Sequence, residues 1–213
     1  MISMRWLLIV LLAGVPVTAN STPLDSLMST GPSVPWSFSV QGYYYVFPDD
    51  DNFLIAIGSA DRGSLHLEAR YNYEDLKTGS LFAGWTLSTG ETFTAEFTPM
   101  LGVAFGRTTG IVPALEMSLG YGIFDLYDES EYLIDVQDEG SSYLYSWLEL
   151  GVTPSDLFRL GVTAQRTRAA ETPLGVERGL FVQVTPEPAS VGFYAFNLFT
   201  DYWFLIVGVE IGL

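Results

Sequence analysis

Apolar and polar residues alternate without a break over residues 65–73, the most regular stretch of the chain. The odd positions hold the apolar residues Leu65, Leu67, Ala69, Tyr71 and Tyr73. The even positions hold the polar residues His66, Glu68, Arg70 and Asn72. A period of two residues predicts a β-strand, because successive side chains of a strand point to opposite faces of the sheet. One face of this strand is therefore apolar and aromatic, and the other carries charged and amide groups.

Similar short alternating segments, separated by turn residues, follow one another along the chain. They predict twelve strands: Trp36–Val46, Phe53–Ser59, Leu65–Tyr73, Leu81–Ser88, Thr92–Gly106, Ile111–Leu126, Tyr132–Val136, Tyr143–Val152, Phe158–Gln165, Gly179–Thr185, Val191–Phe199 and Tyr202–Leu213. Ten strands is the alternative, because three segments are short or apolar on both faces. These three are Phe53–Ser59, Tyr132–Val136 and Val191–Phe199.

Two features predict interruptions of this pattern. Acidic segments at Asp125–Glu131 and Gln137–Ser142 read as turns on either side of a short strand at Tyr132–Val136. Pro99 predicts a bulge or a local break, because proline cannot donate a hydrogen bond to a sheet.

An even strand number would place both termini and the turns near Asp61, Thr89, Asp125, Pro154 and Pro186 at one end. The acidic segments Asp49–Asp51 and Glu74–Asp75 would then lie at the other end.

The apolar face of these strands is expected to point outward, into lipid. The polar faces carry few charges among Gly, Ser and Thr, unlike the charged surface of a water-soluble barrel. Lys77 is the only lysine, and aromatic residues such as Trp36, Tyr71 and Trp203 stand near segment ends, where interfacial girdles belong. The sequence therefore predicts an all-β protein, a closed antiparallel up-and-down transmembrane β-barrel over residues 36–213.

Residues 1–19 have the features of a secretory signal peptide. Arg5 precedes an apolar run of roughly ten residues, too short for a spanning helix of about 20, and Val17-Thr18-Ala19 resembles a cleavage site. A Ser/Thr/Pro-rich lead over residues 20–35 is expected to be mobile. The predicted organisation is thus a signal peptide, a lead and one barrel.

Charge and composition exclude several classes of function. The 9 basic residues against 25 acidic ones give a net charge of −16, which argues against a nucleic-acid partner. The chain contains no cysteine and one histidine, and it has no phosphate-binding or dinucleotide motif, so we expect no metal and no cofactor. The mean hydropathy of +0.27 is unlike that of a disordered acidic chain.

Together, the leader, the absence of cysteine, the aromatic-rich alternating strands and the last strand resemble the outer-membrane β-barrel proteins of Gram-negative bacteria. In that last strand the apolar residues are Trp203, Leu205, Val207, Val209, Ile211 and Leu213. The resemblance implies a location in the bacterial outer membrane. It also implies contact with outer-membrane lipids and folding by the outer-membrane assembly machinery.

A barrel with its apolar face outward would place a sparse set of polar residues in its lumen. The predicted lumen residues are His66, Glu68, Arg70, Glu96, Glu116, Glu149, Arg159, Gln165 and Glu210. Buried charges require partners or water, so these residues either form a network that plugs a structural barrel or line a narrow, porin-like channel. The acid excess would favour small cationic or neutral solutes.

An enzyme is the competing class of function. Some small outer-membrane barrels are lipid acyl hydrolases or acyltransferases that use a serine nucleophile and a histidine base. His66 is the sole histidine, Ser64 is the nearest serine, and Glu68 could orient the imidazole. Because no motif surrounds them, we expect no catalytic residues.

Overall fold

The computed structural model describes residues 34–137, 142–169, 175–186 and 188–213. The predicted signal peptide at 1–19 and most of the predicted lead at 20–35 lie outside these residues. The strands are β1 (Ser37–Val46), β2 (Phe53–Arg62), β3 (Leu65–Tyr71), β4 (Thr78–Trp85), β5 (Leu87–Thr89), β6 (Phe93–Gly106), β7 (Gly110–Tyr121), β8 (Phe124–Asp135), β9 (Tyr143–Ser155), β10 (Phe158–Ala169), β11 (Gly175–Val184), β12 (Ala189–Phe196) and β13 (Phe204–Gly212). Within the described residues, no helix has the length and apolarity needed to cross a bilayer.

These strands form one closed antiparallel barrel. Apart from β4 and β5, consecutive strands pair with each other, and β1 pairs with β13 to close the wall. Both β4 and β5 pair with β6 in one continuous register, so they occupy a single position in the wall. The thirteen segments therefore make a barrel of twelve strands, which confirms the predicted fold class and strand number. The alternative count of ten is wrong.

The side chains of the wall alternate between outside and lumen as predicted. Leu67 of β3 and Leu160 of β10 are 36% and 44% exposed on the outer surface, whereas His66 and Arg159 beside them are buried inside. Large exposed apolar residues cover the outer surface on all sides. Such an exterior is that of a barrel that spans a bilayer, where lipid replaces water as the outer solvent.

A polar exception lies on the outer surface of β8 and β9. The hydroxyl of Ser130 donates to Asp128 at 3.0 Å, and that of Ser146 donates to the same carboxylate at 3.2 Å. These hydrogen bonds give the outward-facing carboxylate two partners on the barrel itself.

The predicted acidic turn at Asp125–Glu131 is wrong. The connection between β7 and β8 is Gly122-Ile123, and Gly122 adopts the left-handed conformation (φ 60°) that a tight turn requires. Consequently β8 extends over Phe124–Asp135, far beyond the predicted strand at Tyr132–Val136. The acids of this segment lie in the wall because the lumen contains arginines that pair with them.

Pro99 does not interrupt β6. Its register with β7 is unbroken through Pro99, which lies opposite Leu115. The break falls instead on the other side, between β4 and β5, where Thr86 donates its backbone amide to the Ser64 carbonyl at 2.8 Å. The proline that cannot donate to the sheet thus faces the one position at which β4 and β5 separate.

The two ends of the barrel differ in their connections. Both termini of the described barrel and short connections such as Gly63-Ser64 and Gly122-Ile123 lie at one end, called here the terminal end. The other end, called the loop end, carries the longer connections, including residues 47–52 and 72–77. The acidic segments Asp49–Asp51 and Glu74–Asp75 fall at the loop end, as the even strand number predicted.

Candidate functional site

The lumen is the candidate site, and the nine residues predicted for it all lie on inward-facing strand positions. His66, Glu68, Arg70, Glu149 and Arg159 are buried. Glu96, Glu116, Gln165 and Glu210 are half-buried. The structure gathers four of the nine into two clusters, each centred on an arginine, and places His66 and Glu116 beside the first of them.

The first group, called here the Arg70 cluster, consists of Arg70, Glu68, Glu129 and Glu131. Arg70 donates through Nε to Glu68 and through Nη1 to Glu131 Oε2 at 3.0 Å. The same Nη1 lies 2.7 Å from Glu129 Oε1. One guanidinium on β3 therefore holds two carboxylates of β8 across the barrel.

Aromatic rings enclose this guanidinium. The Tyr73 and Phe82 ring centroids lie 4.3 and 4.4 Å from the central carbon of Arg70. Arginine suits this position because its planar group can stack on rings while its edge donates to several carboxylates. The side chain of Arg70 is fully buried, so the three carboxylates are what makes its charge tolerable in the barrel interior.

The second group, called the Arg159 cluster, lies toward the terminal end. Arg159 Nε donates to Asp125 Oδ1 at 2.8 Å, and Nη1 donates to Glu149. Trp147 Nε1 donates to Glu149 Oε1 at 3.0 Å. Gly151 allows the contact with Asp125, because a Cβ there would lie 2.7 Å from both carboxylate oxygens.

His66 faces carboxylates at both of its ring nitrogens. Nδ1 lies 2.7 Å from Asp61 Oδ1, and Nε2 lies 3.7 Å from Glu68 Oε2. Ser64, the serine of the enzyme alternative, lies in the β2–β3 turn, where its carbonyl accepts from Thr86. The ring nitrogens of His66 thus face carboxylates, and neither is directed at a serine hydroxyl.

The remaining predicted residues lie outside both clusters. Glu96 accepts from Ser88 at 2.9 Å between β5 and β6, and Gln165 donates to Glu177 between β10 and β11. Glu210 lies opposite Gln41 and Ser190 in the register of β13.

Sequence reasoning missed the acids of β8 that complete the two clusters. The sequence pattern places Asp125, Glu129 and Glu131 in an acidic turn, yet all three are buried. The sequence does contain a pattern that indicates a strand here. All three residues have odd numbers, which places them on one face of a strand together with Leu133 and Asp135. The sequence likewise predicts a turn at Asp61, although this residue lies within β2, opposite His66.

An aromatic cluster fills another part of the lumen and contacts the Arg159 cluster through Trp147 and Phe181. Its buried members are Tyr45, Ile55, Ile57, Trp147, Phe181, Tyr194, Phe196, Phe204 and Ile206. The rings of Phe196 and Phe204 stack with centroids 4.8 Å apart, and those of Tyr45 and Phe53 are 4.6 Å apart. The interior is therefore more apolar than the predicted polar lumen. Between this cluster and the acids there remains a cavity of about 40 Å³.

A larger cavity of about 660 Å³, called here the vestibule, lies at the loop end. Its walls include Tyr73, Tyr143, Asp75, Asp135 and Glu74. Ser80 donates to Glu74 Oε1 at 2.5 Å, while Glu74 Oε2 is buried without a hydrogen bond. Burial raises the pKa of the Glu74 carboxyl above its usual range.

Comparison with known proteins finds likeness in structure and not in sequence. No family model and no curated protein matches this chain. The KdgM porin in complex with disordered oligogalacturonate superposes with a TM-score of 0.62 at 10% identity, covering 81% of this chain and 98% of that one. A second structure of the KdgM porin gives a TM-score of 0.60 at the same identity and coverage. The chain thus has the fold of an outer-membrane porin barrel.

Proposed function

We propose that this protein is a narrow, porin-like channel of the bacterial outer membrane that favours cations and small neutral solutes. The observation that carries the proposal is the Arg70 cluster beneath the vestibule. A barrel that serves only as a scaffold can fill its centre with apolar side chains, whereas this one retains charged groups along the path between its two ends.

The charge balance of the lumen supports a preference for cations. The two clusters and His66 contain two guanidinium groups and one imidazole. The carboxylates around them belong to Asp61, Glu68, Glu116, Asp125, Glu129, Glu131 and Glu149. An acid excess inside a low-dielectric wall attracts cations and repels anions. A polyanion such as the oligogalacturonate bound by the KdgM porin is therefore not an expected solute of this lumen.

The width of the lumen supports a low conductance. The cavity of about 40 Å³ beside Glu68 and Glu129 has room for little more than one water, whose share of liquid volume is about 30 Å³. Passage of a hydrated ion therefore requires the Arg70 cluster to shift. Because charged side chains can exchange partners with water, such a shift is more accessible than a rearrangement of the aromatic cluster.

Single-channel recording in a planar bilayer tests this proposal. The protein should give small conductance steps, and its reversal potential in a salt gradient should indicate a preference for cations. Glu116→Gln removes one lumen charge without separating an arginine from its carboxylates, so it should weaken that preference. Arg178→Gln, on the exposed outer surface of β11, is the control and should leave conductance and selectivity unchanged.

A plugged structural barrel is the second candidate, favoured by the aromatic cluster. A folded protein that inserts into the bilayer without conductance steps would support it and would overturn the channel. Either function places the barrel in the outer membrane, in contact with its lipids and dependent on the assembly machinery. We propose no catalytic role, since the ring nitrogens of His66 face carboxylates.

A further inference from the structure

Three potential metal ligands from two strands that are not neighbours in the wall meet inside the barrel. His66 and Glu68 lie on β3, and Glu116 lies on β7, two wall positions beyond β4 in the sheet order. One donor atom of each residue lies within 4.8 Å of the donors of the other two. Cross-barrel convergence of this kind does not follow from strand pairing, which joins β3 only to β2 and β4.

The imidazole of His66 is oriented as metal-binding histidines are. Nδ1 is held by Asp61 Oδ1 at 2.7 Å, the carboxylate–histidine arrangement that fixes the tautomer and makes the other nitrogen a better ligand. That other nitrogen, Nε2, is buried without a hydrogen bond, and the residue as a whole is 8% exposed. This buried nitrogen is directed at Glu68 Oε2, and a metal ion could take the place of its proton.

Glu68 can serve this group without leaving the Arg70 cluster. Its Oε1 accepts from Arg70, whereas its Oε2 faces His66 Nε2 at 3.7 Å. The two oxygens of Glu68 thus contact different partners. Glu116 brings a second carboxyl group from β7, so the donor set is one imidazole nitrogen and two carboxylate oxygens.

We propose that His66, Glu68 and Glu116 bind a divalent transition-metal ion of the zinc class. Imidazole nitrogen with carboxylate oxygen is a donor set that suits Zn²⁺, whereas Ca²⁺ and Mg²⁺ prefer oxygen alone. Ligands at about 2.1 Å from a metal lie roughly 3.5 Å apart in a tetrahedron, so small rotations of the two glutamates would close the set. Water would take the fourth position. This site goes beyond the proposed channel and does not depend on ion passage.

Isothermal titration of Zn²⁺ into the metal-free, folded full barrel in detergent tests the site. We expect saturable binding of one ion for each chain. Glu116→Gln and His66→Gln should each weaken it at least about tenfold, and Asp61→Asn, which removes only the negative charge of the outer partner of His66, by about 10–100-fold. Glu177→Gln is the matched control, an inward-facing glutamate elsewhere in the lumen, and should bind as the parent does.

Folding of each variant is checked by circular dichroism and by heat-modifiable migration on gels. X-ray absorption of the zinc-loaded protein should show one imidazole among oxygen ligands, which a structural role for His66 would not produce. The proposal is overturned by the absence of saturable Zn²⁺ binding, by equal binding in the Glu116→Gln variant, or by Ca²⁺ binding as tightly as Zn²⁺. Because binding is read without a current, a silent channel leaves this test intact.

Discussion

Arg70 on β3 and Glu131 on β8 are 61 residues apart in the chain, yet their side chains form a buried hydrogen bond of 3.0 Å across the lumen. The strands that carry them are not neighbours in the sheet. The contact therefore joins two separate parts of the wall. Buried ion pairs between strands that are not neighbours therefore occupy the centre of the barrel.

Replacing Arg70 should test how much these buried ion pairs stabilise the barrel. Arg70→Met would leave the carboxylates of Glu68, Glu129 and Glu131 without their shared cation, and we expect a loss of about 3–5 kcal/mol in the free energy of unfolding. Guanidinium titration of the protein folded in lipid vesicles, followed by tryptophan fluorescence, measures it. Adding Glu131→Gln should recover part of the loss, because one uncompensated charge is then removed. A double variant whose losses simply add would contradict the coupling.

The alternation of residues along the chain was sufficient to predict the barrel, its strand number and the facing of Leu67 and Leu160. It was insufficient for β8, because an acid-rich segment has the composition of a solvated turn. Only its cationic partners, which lie elsewhere in the chain, distinguish it from one. Those partners lie on β3 and β10, and no local pattern specifies which residues meet across a closed barrel. The aromatic interior was missed for a related reason. Segments such as Val191–Phe199 are apolar on both faces, so alternation cannot assign the inner one.

Gly151 provides a second test, of the Arg159 cluster. The Cβ added by Gly151→Ala would lie 2.7 Å from both oxygens of Asp125 and 2.8 Å from Arg159 Nε, so the pair must separate. We expect a loss of about 1–3 kcal/mol in the free energy of unfolding. Gly58→Ala is the matched control, since a Cβ there meets no atom within 4 Å. Equal stability of the two variants would show that the Asp125–Arg159 pair tolerates displacement.

The outward facing of the apolar positions can be tested at Leu67 and Leu160. Arginine at a lipid-facing position costs about 2–4 kcal/mol at the bilayer midplane and less toward the interfaces. Leu67→Arg and Leu160→Arg should therefore lower the free energy of unfolding in vesicles by amounts in this range. Leu67→Ala and Leu160→Ala control for lost apolar area. Arginine variants as stable as the alanine variants would place these positions in water.

The pH dependence of stability should reveal the buried carboxyl of Glu74 in the β3–β4 loop. Burial raises the pKa of this carboxyl in the folded protein, so the folded state binds the proton more tightly than the unfolded chain does. The resulting stabilisation is complete below the ordinary pKa of glutamate and is lost as the pH rises through the raised value. Glu74→Gln resembles the protonated form and retains an acceptor oxygen for Ser80.

This variant should accordingly be more stable than the parent at about pH 8, and the difference should disappear by about pH 4. Unfolding in guanidinium at a series of pH values measures it. Asp51→Asn, in the exposed β1–β2 loop, removes a charge of the same sign without burial and serves as the control. If Glu74→Gln is less stable than the parent at the higher pH, the charged carboxylate contributes a favourable interaction and burial is not the dominant effect on it.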